Sequence, residues 1–312
     1  MRVGLDVSGG DFAPEANVLG AILASQELGD RASIVLIGNR EEIVPVLERE
    51  GLKEDAFDIV HTPDSIGMGE HPTKAFLKKP ESSIAIGFKM LQDGSLDAFS
   101  STGNSGAMLV GAMYTIRTIP GVIRPSITTA LPVLNGGVSV ILDVGINADC
   151  KPDVLYQFGI LGSLLAEQVY NIENPKVGLL NIGEEEEKGN LLSQAAHTMM
   201  KDTQDFNFIG NIEGRDLFSG KADVIVCDGY TGNIVLKQAE AFYTLIRKRK
   251  IQDEYFDRFN YEIYGGTPLL GVNGNVIIGH GISNENAVKN MIKLSVDTAE
   301  AKLADRIRKV FK

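Results

Sequence analysis

Cysteine and histidine are scarce in this chain. It has two cysteines, Cys150 and Cys227, and neither belongs to a C-x-x-C pair, so we expect neither a disulfide framework nor a zinc site. The four histidines are scattered and form no H-E-x-x-H motif, which argues against a metal site and metal-dependent hydrolysis. Cys227 ends an apolar run and is expected to be a small core residue rather than a nucleophile.

Long apolar runs and an excess of basic charge are also lacking. No run approaches the roughly eighteen apolar residues of a membrane span, and the first residues lack the apolar region of a signal peptide. The formal net charge is −11, and a surface of that sign repels nucleic acid at long range. With 44% hydrophobic residues the chain has the composition of an ordinary globular protein, which we expect to be cytoplasmic and to bind no nucleic acid.

Three common motifs of α/β enzymes are absent. The sequence contains no G-x-x-x-x-G-K-[ST] phosphate loop and no G-x-G-x-x-G dinucleotide fingerprint. It also lacks the G-x-S-x-G nucleophile elbow of α/β-hydrolases. A nucleotide-binding protein or a serine hydrolase of these types is therefore not expected.

Ten short β-branched runs alternate with helical stretches along the whole chain. Most of the runs are nearly all apolar, as strands buried on both faces are. This alternation predicts an α/β fold in which helices cover both faces of a largely parallel sheet. The runs begin at residues 2, 32, 57, 96, 126, 138, 176, 206, 223 and 275.

Glycine and small polar residues are concentrated in the loops that follow the predicted strands. In open α/β sheets, ligands bind beyond the carboxyl ends of the strands, and exposed N–H groups at helix starts favour an anion there. Any single loop is better explained as an ordinary turn or helix cap. Six loops on one rim predict an oxyanion site. They are DVSGGDFAP (6–14), STGNSG (101–106), DVGINADCKP (143–152), NIGEEEEKGN (181–190), CDGYTGN (227–233) and GHGISNEN (279–286).

Two charged stretches each have two interpretations. Lys188 follows four glutamates at a predicted helix start, where it either pairs with Glu184 one turn away or neutralises charge that builds up on a substrate. Residues 247–250, which we call the basic segment, form either a solvated helix face or a docking surface for an acidic partner or an anionic membrane. The basic segment consists of Arg247, Lys248, Arg249 and Lys250.

Nearly the whole chain resembles the bacterial phosphate acyltransferase family, the PlsX-type acyl-ACP:phosphate acyltransferases. The resemblance lies in a series of motifs in a fixed order. These are SGGD (8–11), STGNSGAM (101–108), LDVGINAD (142–149), QFGILG (157–162), VGLLNIGEEEEKGN (177–190), GNIEGRDL (210–217), DVIVCDGYTGNIVLK (223–237), YGGTPLLGVNG (264–274) and GHGISN (279–284).

The resemblance implies a fold and an activity. The fold is a three-layer α/β/α unit with a mixed sheet of about ten strands, like isocitrate and isopropylmalate dehydrogenases and phosphotransacetylases. A single catalytic domain, 1–312, would consist of two intertwined, pseudo-symmetric halves, roughly 1–120 plus 265–312 and 121–264. The activity is transfer of a fatty acyl group from acyl carrier protein to inorganic phosphate for phospholipid synthesis, with no cofactor. A homodimer, a downstream membrane glycerol-phosphate acyltransferase and peripheral membrane contact are implied as well.

The resemblance also assigns site residues. The backbone N–H groups of 102–106 and 231–233 are expected to hold phosphate or the developing oxyanion, one loop from each half facing a shared cleft. Lys188, Asn233, Asn104 and His280 are the predicted catalytic residues, with His280 as an acid for the departing thiol. The predicted phosphate-binding residues are Gly9, Gly10, Asp11, Thr102, Gly103, Ser105, Gly106, Asn147, Thr231 and Gly232.

The chain departs from the family pattern in three places. Ser8 replaces the usual methionine, Leu77 replaces the usual arginine, and the segment 237–264, associated in the family with the dimer surface and the membrane, is shorter. Two rival functions are a phosphotransacetylase-like enzyme that uses acyl-CoA and a non-catalytic protein that binds an anion or an acyl group. The two Thr-Gly-Asn loops together with Lys188 favour catalysis.

Overall fold

The computed structural model describes all 312 residues and contains eleven β-strands and twelve α-helices. The strands are β1 (Arg2–Asp6), β2 (Ser33–Gly38), β3 (Asp58–His61), β4 (Ala98–Ser101), β5 (Ser126–Pro132), β6 (Val138–Leu142), β7 (Lys176–Asn181), β8 (Asn207–Glu213), β9 (Val224–Val226), β10 (Thr267–Leu270) and β11 (Asn275–Ile278). The helices are α1 (Glu15–Leu28), α2 (Arg40–Arg49), α3 (Pro72–Lys78), α4 (Ser83–Gln92), α5 (Ser105–Gly111), α6 (Pro152–Gln168), α7 (Leu191–Met200), α8 (Gly229–Lys248), α9 (Glu254–Asp257), α10 (Tyr261–Tyr264), α11 (Glu285–Glu300) and α12 (Leu303–Val310). A π-helical turn, Ala112–Ile116, extends α5.

All ten predicted strands are present, and the structure adds an eleventh, β10. This strand has only four residues and includes Pro268, which lacks the N–H that a strand interior normally uses. Antiparallel pairing with β11 brings it into the sheet. The two strands form a hairpin closed by residues 271–274, and its Asn273-Gly274 pair is a local hairpin signal that sequence reasoning overlooked.

Residues 1–119 and 261–304 form one compact unit, unit 1. Its strands lie in the order β3-β2-β1-β4-β11-β10, and all neighbours are parallel except β10 and β11. Val3 and Leu5 of β1 join a core that includes residues of α1 and α11. On the other face, the ring of Phe99 packs edge-on against Phe88 of α4, with centroids 5.2 Å apart. Helices therefore cover both faces of this sheet.

Residues 120–260 and 305–312 form unit 2. Its strands lie in the order β5-β6-β9-β7-β8, with β5 antiparallel to β6 and the other neighbours parallel. Ile141 and Ile225 join a core against which Leu236 of α8 packs. On the opposite face, a side chain at Gly162 of α6 would overlap Val224, so α6 lies directly on the strands.

The predicted α/β class is confirmed, with a mixed strand arrangement and helices on both sheet faces in each unit. The pseudo-symmetry of two halves of one catalytic domain stays a prediction. No helix has both the length and the apolar character that a membrane crossing requires.

Parallel pairing brings the predicted loops together within each unit. In unit 1, Ser101 at the end of β4 pairs with Asp6 of β1 and with Ile278 of β11, so the loops that follow these strands meet at one edge. In unit 2, Val226 at the end of β9 is paired with Leu142 of β6 and Leu179 of β7. In each unit, the loops on this edge contain the predicted site residues.

Candidate functional site

The loops after β1 and β4 touch backbone to backbone in unit 1. A Cβ on Gly9 would lie 2.6 Å from the Cα of Gly103, so only glycine permits this approach. The hydroxyl of Thr102 lies 2.9 Å from the Gly9 carbonyl oxygen, and the Asn17 amide donates to the same oxygen at 2.7 Å. Thr102, predicted to bind phosphate, therefore holds the β1 loop through its side chain.

A buried acid lies beneath these loops. Asp6 is 1% exposed and accepts a hydrogen bond from the Ser101 hydroxyl at 2.6 Å, while the Ser101 oxygen accepts one from the Gly103 N–H at 2.9 Å. Burial raises the pKa of Asp6, and the hydrogen bond from Ser101 opposes that effect in part. Asp6 therefore holds the loops after β1 and β4 from below through hydrogen bonds.

Asn104 joins two segments of unit 1. Its side-chain oxygen accepts a hydrogen bond from the Ala107 N–H at 3.0 Å and so caps α5. Its amide nitrogen lies within 3.0–3.2 Å of the carbonyl oxygens of Gly67, Met68 and Glu70. Both amide hydrogens thus already have protein acceptors, and direct donation from Asn104 to a substrate stays a prediction.

The other predicted site residues of unit 1 lie on the same loops or on the loop after β11. Ser105 and Gly106 form the first turn of α5, where backbone N–H groups have no intrahelical acceptor. The Asp11 N–H is used by the carbonyl oxygen of Gly281 at 2.7 Å, and its exposed carboxylate would repel phosphate. His280 is half-buried, with its ring edge-on to Tyr261 at 5.2 Å. Gly10, which lies in the β1 loop with a φ of 98°, completes this group.

Unit 2 has its own buried acid at the end of β6. Asp143 is fully buried and accepts hydrogen bonds from the backbone and side-chain nitrogens of Asn147 at 2.6 and 2.8 Å. Burial raises the pKa of Asp143, against the effect of these N–H groups. Asn147 also donates to the Pro125 carbonyl oxygen at 2.8 Å, so its amide is used to hold the loop.

The first turn of α8 packs on this loop. Asp228 caps α8 by accepting hydrogen bonds from the Thr231 N–H at 2.8 Å and the Thr231 hydroxyl at 2.9 Å. Gly232 lies against the Asp143 carbonyl so closely that any side chain would overlap it. Asn233 is exposed and donates one amide hydrogen to the Val144 carbonyl oxygen at 3.2 Å. Its remaining amide hydrogen and its oxygen face no protein partner in the structure.

The two Thr-Gly-Asn copies therefore occupy different local positions. Asn104 is the residue that caps α5, whereas Asn233 is the fifth residue of α8, with Asp228 as that helix's cap. Thr102 reaches across to another loop, whereas Thr231 binds its own helix cap. Both copies stand at a helix start after a parallel strand, but their side chains do different work.

Lys188 lies in a loop before α7 and not on a helix start as expected. Glu184 pairs with Lys221 at 2.6 Å and does not bind Lys188. Glu186 lies 3.4 Å from Lys201, and the Glu185 carbonyl oxygen accepts a hydrogen bond from Asn211 at 2.8 Å. The exposed ammonium group of Lys188 has no hydrogen-bond or ion-pair partner within the chain, so it is available to an anionic ligand.

The basic segment ends α8. Arg247 and Lys248 belong to its last turn, where they complement the helix dipole, and Arg249 and Lys250 follow. All four side chains are exposed, and Arg247 lies 3.5 Å from Asp257.

No cluster of three or more His, Cys, Asp or Glu side chains in the chain is arranged to hold a metal ion.

Comparison with known proteins settles the family. A family model described as "Fatty acid synthesis protein" matches residues 1–306. A phosphate acyltransferase of Dictyoglomus turgidum (strain DSM 6724 / Z-1310) is 41% identical over 314 residues, covering 95% of this chain and 93% of the relative. One from Endomicrobium trichonymphae is 43% identical, covering 99% and 97%. The chain belongs to this family.

The predicted family and enzyme class, phosphate acyltransferase, are thereby confirmed. A phosphotransacetylase from Streptococcus pyogenes has a similar fold, with a TM-score of 0.66 at 17% identity over 96% of this chain and 94% of the other. A branched-chain phosphotransacylase from Enterococcus faecalis V583 has a TM-score of 0.66 at 12% identity, with 96% and 99% covered. These similarities confirm the expected likeness in fold to phosphotransacetylases.

Sequence reasoning overlooked several side chains that hold the loops of this phosphate acyltransferase family member. Asp6 and Asp143 are the main examples, and both stand in the tripeptide Leu-Asp-Val at the carboxyl end of an apolar strand. An acid at the end of a strand that is buried on both faces was the available signal. Asp228 stands at a helix start, where an N-cap acid is a local signal, whereas Asn17 carried none, because its partner Gly9 lies in another segment.

We predict that Asn104→Ala destabilises the protein more than loss of a helix cap alone. A cap typically contributes about 1 kcal/mol, and the lost hydrogen bonds to residues 67–70 add about 0.5–1.5 kcal/mol each. Denaturant unfolding measures the difference against Asn284→Ala, which removes the matched cap of α11, bonded to the Ala287 N–H at 3.0 Å. Equal losses in the two variants would contradict a bridging function for Asn104.

Proposed function

We propose that the protein moves a fatty acyl group from acyl carrier protein to inorganic phosphate. The observation that carries the proposal is the match of residues 1–306 to the family, at about 40% identity to phosphate acyltransferases. Glycine-lined loops with helix starts at the strand ends of both units suit an anionic substrate. The acyl phosphate would supply a membrane glycerol-phosphate acyltransferase, and a cytoplasmic homodimer stays part of the proposal.

The reaction needs positioning more than a strong base. A phosphate oxygen attacks the thioester carbonyl carbon, a C–O bond forms and the C–S bond breaks. The sulfur leaves as a thiolate that takes up a proton and becomes the free thiol of the carrier. Phosphate is already nucleophilic at neutral pH, so binding and charge stabilisation supply most of the rate gain.

The proposed function of each residue depends on whether its polar group already has a hydrogen-bond or ion-pair partner. Lys188 is proposed to neutralise the charge of the tetrahedral intermediate, and its unpaired ammonium group supports this. Asn233 is proposed to donate its remaining amide hydrogen to the oxyanion. Backbone N–H groups of Ser105 and Gly106 are proposed to hold phosphate, while Asn104 acts by positioning residues 67–70. Protonation of the thiolate by His280 stays a prediction.

Thiol release tests the function directly. The protein is incubated with long-chain acyl-ACP or with acetyl-CoA, each with and without phosphate. Phosphate-dependent thiol release from acyl-ACP alone supports the proposal. Release from acetyl-CoA alone assigns the phosphotransacetylase-like function, and no release from either leaves a binding protein.

We expect Lys188→Ala to lower kcat/KM for acyl-phosphate formation by about 100-fold or more, the size of a lost group that stabilises transition-state charge. Because the Lys188 side chain is exposed and unpaired, the unfolding midpoint should not change. Lys201→Ala is the control, since Lys201 is an exposed lysine of the same unit that pairs with Glu186. Turnover near that of the unaltered protein would exclude Lys188 from catalysis.

The basic segment is proposed to dock acidic acyl carrier protein. Changing its four residues to glutamate should raise the KM for acyl-ACP about tenfold at low salt, and the effect should shrink as salt screens the charges. Reversal of Lys309 and Lys312, elsewhere in unit 2, is the control. An unchanged KM, with sedimentation on anionic liposomes lost instead, would assign the segment to a membrane surface.

A further inference from the structure

Three large apolar side chains lie exposed around the loops of unit 1. Phe12 lies in the loop after β1 and is 53% exposed. Ile282 lies in the loop after β11 and is 55% exposed, and Met68 is 44% exposed. An isolated exposed apolar residue needs no explanation, but a cluster beside polar loops indicates a binding surface. We call these three residues the apolar rim.

Backbone and side-chain contacts hold the rim residues together. The hydrogen bond from the Asp11 N–H to the Gly281 carbonyl oxygen, at 2.7 Å, joins the residues that precede Phe12 and Ile282. Met68 packs over Gly281, since a Cβ there would lie 2.6 Å from the methyl group of Met68. The hydroxyl of Tyr261 donates to the Ile282 carbonyl oxygen at 3.0 Å.

The Met68 segment is fixed to the loop that is proposed to hold phosphate. Asn104 donates to the carbonyl oxygens of residues 67, 68 and 70 while it caps α5. Glu70 accepts a hydrogen bond from the Gly67 N–H and pairs with Lys79, both at 2.7 Å. These bonds join the Met68 segment to the start of α5.

We propose that the apolar rim binds the hydrocarbon chain of the acyl group, which deepens the proposed function and rests on it. The substrate combines a polar thioester, which must reach phosphate, with an apolar chain, and unit 1 places apolar side chains next to its anion-binding loops. An unbranched methionine such as Met68 adapts to a flexible chain. The exposed carboxylate of Asp11 beside the rim disfavours phosphate there and leaves the chain as the occupant.

The test compares long and short acyl chains. Phe12→Ser, Met68→Ser and Ile282→Ser should each lower kcat/KM for a sixteen-carbon acyl-ACP about tenfold, since each removes apolar contact with the chain. With a four-carbon acyl-ACP, which is too short to cover the rim, the change should stay within about twofold. Leu77→Ser is the control, because Leu77 is equally exposed in unit 1 but lies on α3, outside the rim.

Each other outcome has a definite meaning. An unchanged rate with the sixteen-carbon donor overturns the proposal, and so does an equal fall with both donors, which would indicate disturbed loops. If the unaltered protein turns over neither donor, the proposed function fails, and calorimetry with a sixteen-carbon alkyl phosphonate then tests the rim alone. Binding that the triple variant weakens at least tenfold supports the rim, and unchanged binding overturns it.

Discussion

The site depends on backbone segments that approach each other where side chains are absent. Gly9 lies against Gly103 in unit 1, and Gly232 lies against the Asp143 carbonyl in unit 2. A methyl group at any of these places would separate a loop from its neighbour and displace the helix start beside it. Because the glycines allow contact, Thr102 and Asn17 can both bind the Gly9 carbonyl oxygen, while Asn104 caps α5 beside them.

A buried acid organises each loop group from below. Asp6 accepts hydrogen bonds from the Ser101 hydroxyl and the Ser8 N–H, and Asp143 accepts one from the Asn147 side-chain amide. Burial favours the neutral form of both carboxyl groups, which raises their pKa, while the donors around them favour the charged form. The hydrogen bonds to the two carboxyl groups hold the loops in place within each unit.

The strands and the α/β class were predictable because β-branched runs between turn residues are a local signal. β10 was missed because it has only four residues and includes Pro268, although the Asn273-Gly274 pair after it is a local signal of its hairpin with β11. The loops were predictable for the same reason, as glycine and small polar residues after strands are visible in sequence. The use of each side chain was not. Asn104 and Asn233 both follow Thr-Gly. Asn104 caps α5, whereas α8 is capped by Asp228 and Asn233 lies inside that helix.

The run of four glutamates shows how one lysine stays free among acids. An isolated Glu-Lys pair on an exposed loop gains little and competes with water, and here two of the four glutamates pair with other lysines. Glu184 has Lys221, which also binds Asp216 at 3.1 Å, and Glu186 lies near Lys201. Carbonyl groups of Glu185 and Glu187 accept hydrogen bonds from Asn211 and Gln194. The four glutamates therefore bind the loop to the rest of unit 2 at several points. The ammonium group of Lys188 has no partner in the chain and can bind an anionic ligand.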